Sequence, residues 1–210
     1  HEGLGCVAMW RHFPERVAAT TGCRVVAWSR AGYGHSQPYS ESRTSRYMHR
    51  EALEALPALL AELGVERPLL FGHSDGASIA LIFAGTFPDV PAGVIAMAPH
   101  EFVEEETLAG ILAAKEAWTA TDLPYKLARH HADAPRVFGE WNETWLAPAF
   151  RDWSIEEYLP AIRCPVLAIQ GEDDEYATMR QIGIIAEQVA DTMLLTLSHG
   201  GPSPHGVLPA

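Results

Sequence analysis

A serine stands at the centre of the pentapeptide Gly72-His73-Ser74-Asp75-Gly76, which has the pattern G-x-S-x-G. The apolar run before it is typical of a buried strand, and the run after it is typical of a buried helix. A serine on so sharp a turn is strained, and small neighbours let the strand and helix approach closely. The Asp75 backbone N–H, at the helix N-terminus, could stabilise an oxyanion. The pattern therefore predicts that Ser74 is a nucleophile that attacks a carbonyl carbon.

The rest of the chain alternates short apolar runs with helical patterns, which is typical of a parallel sheet in an α/β protein. Each predicted strand is a continuous apolar run, as expected when helices cover both faces. The predicted strands are Arg24–Ser29, Pro68–Gly72, Gly93–Ala98, Pro165–Gln170 and Met193–Leu197. The predicted helices are Cys6–Thr20, Arg46–Leu63, Gly76–Phe87 and Ala177–Ala190. We therefore expect an α/β fold with a doubly wound, mostly parallel sheet.

The interval His100–Arg163 contains no predicted strand and has helical spacing of its apolar residues. We interpret it as a helical cap, residues 100–163, inserted before the acid-bearing strand, with the core at 1–99 and 164–210. Four of the six tryptophans fall there, namely Trp118, Trp141, Trp145 and Trp153. They either wall an apolar substrate pocket or pack the cap's own small core.

The composition limits the classes of partner. The 210 residues are 48% hydrophobic and 20% charged, which suits one sizeable core with a small accessory domain. A formal net charge of -12 argues against nucleic acid and anionic membranes as partners. Cys6, Cys23 and Cys164 suggest reduced thiols and show no zinc-ligand spacing. We expect a small-molecule substrate, no metal or cofactor, and a cytoplasmic location.

Together these features resemble the α/β-hydrolase family, specifically its small capped members with a serine nucleophile. The resemblance covers nearly the whole chain, and the order serine, acid, histidine agrees with the family. It rests on the nucleophile elbow at Gly72–Gly76, the oxyanion loop at His1–Gly5, the glycine-rich loop at Ser29–Ser36, the acid loop at Gly171–Asp174 and the histidine loop near Ser198–His205. A serine at the elbow argues against the family's dehalogenases and epoxide hydrolases, whose nucleophile is a carboxylate.

The resemblance also implies the acid and the second oxyanion donor. The family's acid lies three residues after the glycine that ends its strand, which here is Asp174, with Asp173 and Glu172 as adjacent alternatives. That acid would orient the base and stabilise its charged form. The second oxyanion donor is expected from the backbone of Gly3 or Leu4, beside that of the residue after Ser74.

The base is less well defined by the sequence. Family members usually have Gly-His shortly after the last strand, but here Gly201 is followed by Pro202. Three possibilities remain open: His205, which we favour, His199, or no working base. The other histidines, such as the His130-His131 pair, are predicted to lie on the cap surface.

The resemblance further implies that the chain is truncated at both ends. It accounts for five of the family's eight strands, and the strand expected just before His1 is missing, as is the closing helix after Ala210. Arg24–Ser29 would then lack its natural neighbour, which leaves backbone groups without partners. We expect an interior piece of a longer hydrolase.

The sequence thus predicts a serine hydrolase that cleaves a small, fairly apolar ester, thioester or lactone through an acyl-serine intermediate. Two alternatives stay open. One is a catalytically silent ligand-binding homologue that lacks the base, and the other is an acyltransferase.

Overall fold

The computed structural model describes residues 1–38, 43–199 and 201–203. Its sheet has four strands, all parallel, in the order β1, β2, β3, β4. Their bounds are β1 Leu69–His73, β2 Gly93–Met97, β3 Val166–Gly171 and β4 Thr192–Leu197. The parallel α/β sheet that the sequence predicts is confirmed, and the four strands lie within one or two residues of their predicted bounds. Because all the carboxyl ends meet at one edge, the loops after β1, β3 and β4 converge there.

Eight α-helices are described: α1 Phe13–Thr21, α2 Tyr47–Arg50, α3 Leu56–Leu63, α4 Asp75–Thr86, α5 Glu105–Ala120, α6 Leu123–Ala128, α7 Ala134–Leu146 and α8 Arg180–Gln188. Short 3-10 helices span Val7–Trp10, Pro148–Phe150 and Glu156–Ala161. In the described part of the chain, no helix is both long and apolar enough to cross a membrane.

The predicted helix Arg46–Leu63 is interrupted in the structure. A π-helical segment, Glu51–Ala55, separates α2 from α3. Pro57 stands in the first turn of α3, has no backbone N–H, and its ring would clash with the carbonyl four residues earlier in a regular α-helix. The wider π turn relieves that clash, and such insertions are frequent near functional sites.

One face of the sheet is buried much more fully than the other. Ala96 and Ala168 point to the face covered by α4 and are fully buried. On the opposite face, Phe13 packs on Phe71 with ring centroids 5.2 Å apart, while Met193 in β4 is 69% exposed. Coverage of both faces, expected from the apolar runs, is therefore incomplete in the described residues.

The predicted strand Arg24–Ser29 is wrong. The segment has no regular secondary structure and pairs with no strand in the described ranges. Its apolar side chains Val25, Val26 and Trp28 are each between 37% and 41% exposed. An apolar run forms a strand only when a neighbour supplies backbone partners. In the described ranges the edge strands of the sheet are β1 and β4.

The interval between β2 and β3 is helical, as predicted. It holds α5, α6, α7 and two of the 3-10 helices, and it is closed by a single antiparallel bridge between Phe102 and Ser154. Its buried side chains, such as Trp145 and Phe150, join the same hydrophobic cluster as Leu81 of α4. We call this interval the helical insertion. Its definition as a separate domain, with boundaries at 100 and 163, stays a prediction.

Candidate active site

Ser74 stands between β1 and α4, on the turn that the sequence predicts. Its backbone has φ 51° and ψ −117°, a conformation that is strained for a residue with a Cβ. A Cβ on Gly72 would lie 2.2 Å from the carbonyl oxygen of Gly76, so only glycine allows this approach of strand to helix. The Ser74 N–H donates to the carbonyl oxygen of Met97 at 2.8 Å. The turn therefore presents a partly exposed serine at the N-terminus of α4.

Gly3 and Leu4 form the centre of a turn beside this serine. The Gly5 N–H closes the turn by donating to the carbonyl oxygen of Glu2 at 3.1 Å. A Cβ on Gly3 would lie 3.3 Å from Oδ1 of Asp75, so the turn lies against the residue that follows the nucleophile. Within the described ranges, the N–H groups of Gly3, Leu4 and Asp75 donate to no protein acceptor. The structure thus brings the three predicted oxyanion donors together.

The Asp75 side chain is the centre of a buried polar network. It is 1% exposed, and its Oδ2 accepts a hydrogen bond from the Tyr47 hydroxyl at 2.8 Å. The guanidinium of Arg30 lies 3.4 Å from the same oxygen and also donates to the carbonyl oxygen of Glu2 at 2.9 Å. Arg30 therefore ties the oxyanion loop to the nucleophile elbow, a positioning role rather than a chemical one. A buried ion pair of this kind is costly to break, because the remaining charge has no partner.

Asp174 lies in the loop after β3 and is half-buried. Its Oδ2 accepts a hydrogen bond from Gln170 Nε2 at 2.7 Å, and its Oδ1 accepts one from the Tyr176 N–H at 2.9 Å. Burial raises the pKa of Asp174 to about 6, although these hydrogen bonds and the charge of His73 act in the opposite direction. Removal from water favours the neutral carboxyl.

The two alternative acids are placed differently. Asp173 and Glu172 are both exposed. Asp173 accepts a hydrogen bond from the Gly201 N–H at 2.8 Å, and the Glu172 N–H donates to the carbonyl oxygen of Leu197. These contacts hold the last loop against the sheet, which leaves Asp174 as the acid with a protected, oriented carboxyl.

The loop after β4 supplies no placed base in its described part. The side chain of His199 is 89% exposed, and its Nδ1 lies 3.9 Å from Asp173 Oδ2. His199 makes no contact with Ser74 or Asp174 in the described residues. His205, the favoured base, lies outside the described residues. The candidate triad is therefore placed at its serine and its acid, while the histidine stays a prediction.

His73 and Pro202 meet where a base is expected from the resemblance. His73 is 2% exposed and points into the fold, as the sequence suggested. Its Nε2 faces the carbonyl oxygen of Pro202, and its Nδ1 lies 3.5 Å from Glu2 Oε2. Burial alone would raise the pKa of Glu2, but the hydrogen bond and charge of His73 outweigh it and lower that pKa to about 2. His73 thus links the last loop to the oxyanion loop.

Aromatic side chains of the helical insertion lie over the elbow. A Cβ on Gly3 would lie 2.3 Å from Nε1 of Trp141, so this indole packs directly on the oxyanion loop. Trp145 donates from Nε1 to the Tyr47 hydroxyl at 3.2 Å, and its ring lies 5.2 Å from that of His100. Trp141 and Trp145 thus contact the core, while the tryptophans of the insertion also pack on its own aromatic rings, as Trp118 does on Phe138 and Trp153 does on Phe150.

Residues 1–134 match the family described as "alpha/beta hydrolase fold". The match covers more than half of the chain, including the oxyanion loop and the elbow. The chain belongs to the α/β-hydrolase fold family. The acid and histidine loops lie beyond the matched residues.

This α/β-hydrolase is similar to several known proteins. The human protein named "Serine hydrolase BPHL" is 26% identical over 188 residues, covering 86% of this chain and 64% of that protein. "Epoxide hydrolase B" of Mycobacterium tuberculosis is 36% identical over 86 residues, covering 41% and 23% of the two chains. The chain thus spans less than two thirds of the length of these curated relatives.

Among solved structures, an esterase from Exiguobacterium antarcticum superposes with a TM-score of 0.71 at 18% identity, covering 96% of this chain and 82% of that one. At this identity the likeness shows the fold alone. It agrees with the parallel sheet and the elbow described above.

Sequence reasoning missed three residues around the site. Tyr47 and Gln170 bond to acidic side chains of the site, and no local pattern marks either. His131 was predicted at the surface, and this is wrong, because its side chain is 4% exposed. Its ring is held by backbone groups 97 and 127 positions away, and spacing along the chain gives no signal of such contacts.

Proposed function

We propose that this α/β-hydrolase is a serine hydrolase that cleaves a small, fairly apolar ester, thioester or lactone through an acyl-serine intermediate at Ser74. One observation carries the proposal. Ser74 holds a strained positive φ at the N-terminus of α4, next to the Asp75 N–H and close to a turn whose Gly3 and Leu4 N–H groups have no protein acceptor in the described ranges. Strain is retained where the surrounding structure holds it for function.

In the proposed mechanism the Ser74 hydroxyl oxygen attacks the substrate carbonyl carbon, and its proton passes to a base. The negative charge that develops on the carbonyl oxygen is stabilised by the N–H groups of Asp75 and of Gly3 or Leu4. The leaving group takes up the proton as its bond to the carbonyl carbon breaks. Water then attacks the acyl-serine in the same way and releases the acid. We assign the base to His205 and its orientation to Asp174.

The substrate class is argued from the surroundings of the elbow. The indole of Trp141 packs on the oxyanion loop, and both Trp141 and Trp145 are buried, at 7% and 2% exposed. Apolar surroundings of this kind favour a substrate with a fairly apolar acyl or alcohol group. The similarity to the human protein named "Serine hydrolase BPHL" supports the same chemistry. The small-molecule partner and the cytoplasmic location stay predictions.

A specific observation favours a second candidate, a catalytically silent ligand-binding homologue. Pro202 stands in the slot where family members usually have histidine, and its carbonyl oxygen is engaged by His73. A serine triad that lacks its base typically loses on the order of 10⁴- to 10⁶-fold in turnover. In this case the pocket binds an ester without consuming it.

The two candidates are separated by one kinetic experiment. The protein is mixed with a p-nitrophenyl ester of a short acid, while nitrophenolate release and tryptophan fluorescence are followed together. The hydrolase predicts a burst of nitrophenolate close to one equivalent per chain and an acyl adduct in the intact mass. Both signals must vanish in Ser74→Ala. A fluorescence change without any product supports the silent binder and contradicts the hydrolase.

A further inference from the structure

A buried histidine of the insertion clamps the oxyanion loop. His131 lies between α6 and α7, and its side chain is 4% exposed. The Gly34 N–H donates to its Nδ1 at 2.9 Å, and its Nε2 lies 2.9 Å from the carbonyl oxygen of Leu4. One imidazole ring therefore connects the insertion with both the glycine-rich loop and the oxyanion loop.

The two contacts fix the protonation of the ring. A backbone N–H can only donate, so Nδ1 of His131 must carry a lone pair, and a carbonyl can only accept, so Nε2 must carry the proton. The neutral Nε2–H tautomer is thus specified by geometry, and both ring nitrogens are satisfied. Burial lowers the pKa of His131, which is consistent with a neutral ring.

The Leu4 contact bears on the oxyanion hole. Arg30 holds the carbonyl oxygen of Glu2 at one end of the loop's turn, and His131 holds that of Leu4 at the other. The two contacts thus hold the turn at both ends of the Gly3-Leu4 peptide, and the N–H groups of Gly3 and Leu4 have no protein acceptor in the described ranges. Donors that act in a transition state must be placed before the charge develops.

We propose that His131 is a positioning residue that holds the oxyanion loop in its working geometry and couples it to the helical insertion. This inference rests on the proposed function, because it assigns the N–H groups of that loop to an oxyanion hole. It adds a residue outside the serine, acid and histidine set, and it makes the insertion part of the machinery rather than only a wall for substrate.

The docking of the insertion does not depend on the Leu4 contact alone. The Ala132 N–H donates to the carbonyl oxygen of Gly34 at 2.9 Å, so two hydrogen bonds join the insertion to Gly34. Loss of the bond to Leu4 should therefore loosen the oxyanion loop while the insertion stays in place. Because the loop can loosen while the insertion stays docked, the role of His131 can be tested without unfolding the protein.

Two variants divide the functions of the ring. In His131→Asn the amide oxygen takes the place of Nδ1 and can still accept from Gly34, but nothing reaches Leu4. In His131→Gln the longer side chain brings an amide N–H to the place of Nε2, so the Leu4 bond can persist. His130→Asn is the matched control, since the neighbouring residue contributes only backbone groups to the described hydrogen bonds, its N–H to Leu127 and its carbonyl oxygen to the Cys6 thiol.

The first readout is amide hydrogen exchange by mass spectrometry, which needs no activity. In His131→Asn the peptide covering residues 2–10 should exchange roughly tenfold faster or more, while α4 and β2 stay unchanged. His131→Gln and His130→Asn should match the parent protein. Equal exchange of residues 2–10 in all four proteins overturns the inference, as does equal acceleration in the Asn and Gln variants of His131.

The second readout is the rate at which a fluorophosphonate labels Ser74. The labelling rate should fall about 10- to 100-fold in His131→Asn and be largely kept in His131→Gln. Deleting an oxyanion donor lowers a rate by about 10²- to 10³-fold, and displacing one should lower it by no more than that. Unchanged labelling in His131→Asn contradicts the inference while leaving the hydrolase intact. No labelling of the parent protein, with the exchange pattern as expected, removes the proposed function and leaves the loop-positioning role standing.

Discussion

Gln170 Nε2 donates a hydrogen bond to Oδ2 of Asp174 at 2.7 Å, so the proposed acid is held by an amide from its own strand. The Gln170 Oε1 has no partner among the described residues. Among the described residues, the acid is therefore oriented by this amide and by the Tyr176 N–H, in surroundings that favour its neutral form. This relationship has consequences for the pH dependence of stability and for the effect of a restored base.

Asp174→Asn should change how stability varies with pH. The folded pKa, raised to about 6 by burial, exceeds the usual value of about 3.9 for aspartate. The folded state then binds more protons than the unfolded state between these values, so stability falls as pH rises from about 4 to about 7. In Asp174→Asn, the N–H of the new side-chain amide can donate to Gln170 Oε1 once the Gln170 side-chain amide has flipped.

The measurement is urea unfolding of both proteins at pH 4, 5, 6 and 7. The Asn variant should gain stability relative to the parent as the pH rises. A constant difference across this range, or one that shrinks, would show that Asp174 is not a buried acid with a raised pKa.

Pro202→His should separate the two candidate functions, because only the silent homologue, which lacks a base, should gain ester turnover from it, whereas a hydrolase with His205 as its base should gain none. Pro202 occupies the family's histidine slot, and its backbone already lies beside His73 in the loop near Asp174. Since loss of a base costs on the order of 10⁴- to 10⁶-fold, a base restored in an imperfect geometry should give at least about 10³-fold. Steady-state hydrolysis of a p-nitrophenyl ester measures the gain.

Pro202→Ala is the matched control, because it removes the proline without adding a base. The gain must also be lost when Pro202→His is combined with Ser74→Ala. If Pro202→Ala raises turnover as much as Pro202→His does, the slot has no role in proton transfer. If the parent protein is already fully active and Pro202→His does not increase its turnover, the result would instead support a base outside the described residues.

Gly72→Ala should destabilise the elbow strongly. The added Cβ would lie 2.2 Å from a backbone oxygen of Gly76, which cannot move aside as a flexible side chain could. We expect a loss of about 2–4 kcal/mol in the free energy of unfolding. Gly183→Ala in α8 is the control, because nothing lies within 4 Å of a Cβ at this position. This substitution should raise the free energy of unfolding by about 0.5–1 kcal/mol. Equal effects of the two substitutions in urea unfolding would contradict the close approach.

Ser74→Gly should be at least as stable as Ser74→Ala. At φ 51° and ψ −117° alanine keeps the strain, of about 1–3 kcal/mol, which glycine removes. Glycine also lowers the free energy of unfolding by roughly 0.4–1 kcal/mol, because it gives the unfolded chain greater conformational freedom. At an ordinary helical site such as Gly139, with open space around it, alanine should instead be the more stable residue. Thermal unfolding of both pairs would show the opposite orders, and the same order in both would remove the argument from strain.

The sequence predicted the elements whose patterns are local. The four paired strands, the elbow and the long helical interval follow from apolar runs and glycine spacing, and they lie where expected. The error at Arg24–Ser29 has a physical cause, since an apolar run shows strand propensity but not whether a neighbour strand exists. To predict the π turn before α3, the position of Pro57 had to be weighed against an otherwise regular helical pattern.

The site was predictable only in part for a similar reason. Ser74 and Asp174 belong to short motifs, and the structure places them after the carboxyl ends of β1 and β3, which both pair with β2. Three residues of the site were not predicted, because their contacts join positions that are distant in sequence or belong to no local motif. Residue type alone gave no signal of a role in the site for Gln170, Tyr47 or His131. His131 shows this most clearly, because an adjacent pair of histidines in a polar helical segment is typical of an exposed surface.

The nucleophilic role of Ser74 is tested most directly by covalent labelling. The protein is incubated with a fluorophosphonate, digested, and the modified peptide is sequenced by mass spectrometry, with heat-denatured protein and Ser74→Ala as controls. Because the reagent reacts with a serine activated within a folded site, we expect one adduct per chain on Ser74 and none in either control. Folded protein that remains unlabelled after prolonged incubation, or carries its adduct on another residue, would contradict the assignment of Ser74 as the nucleophile.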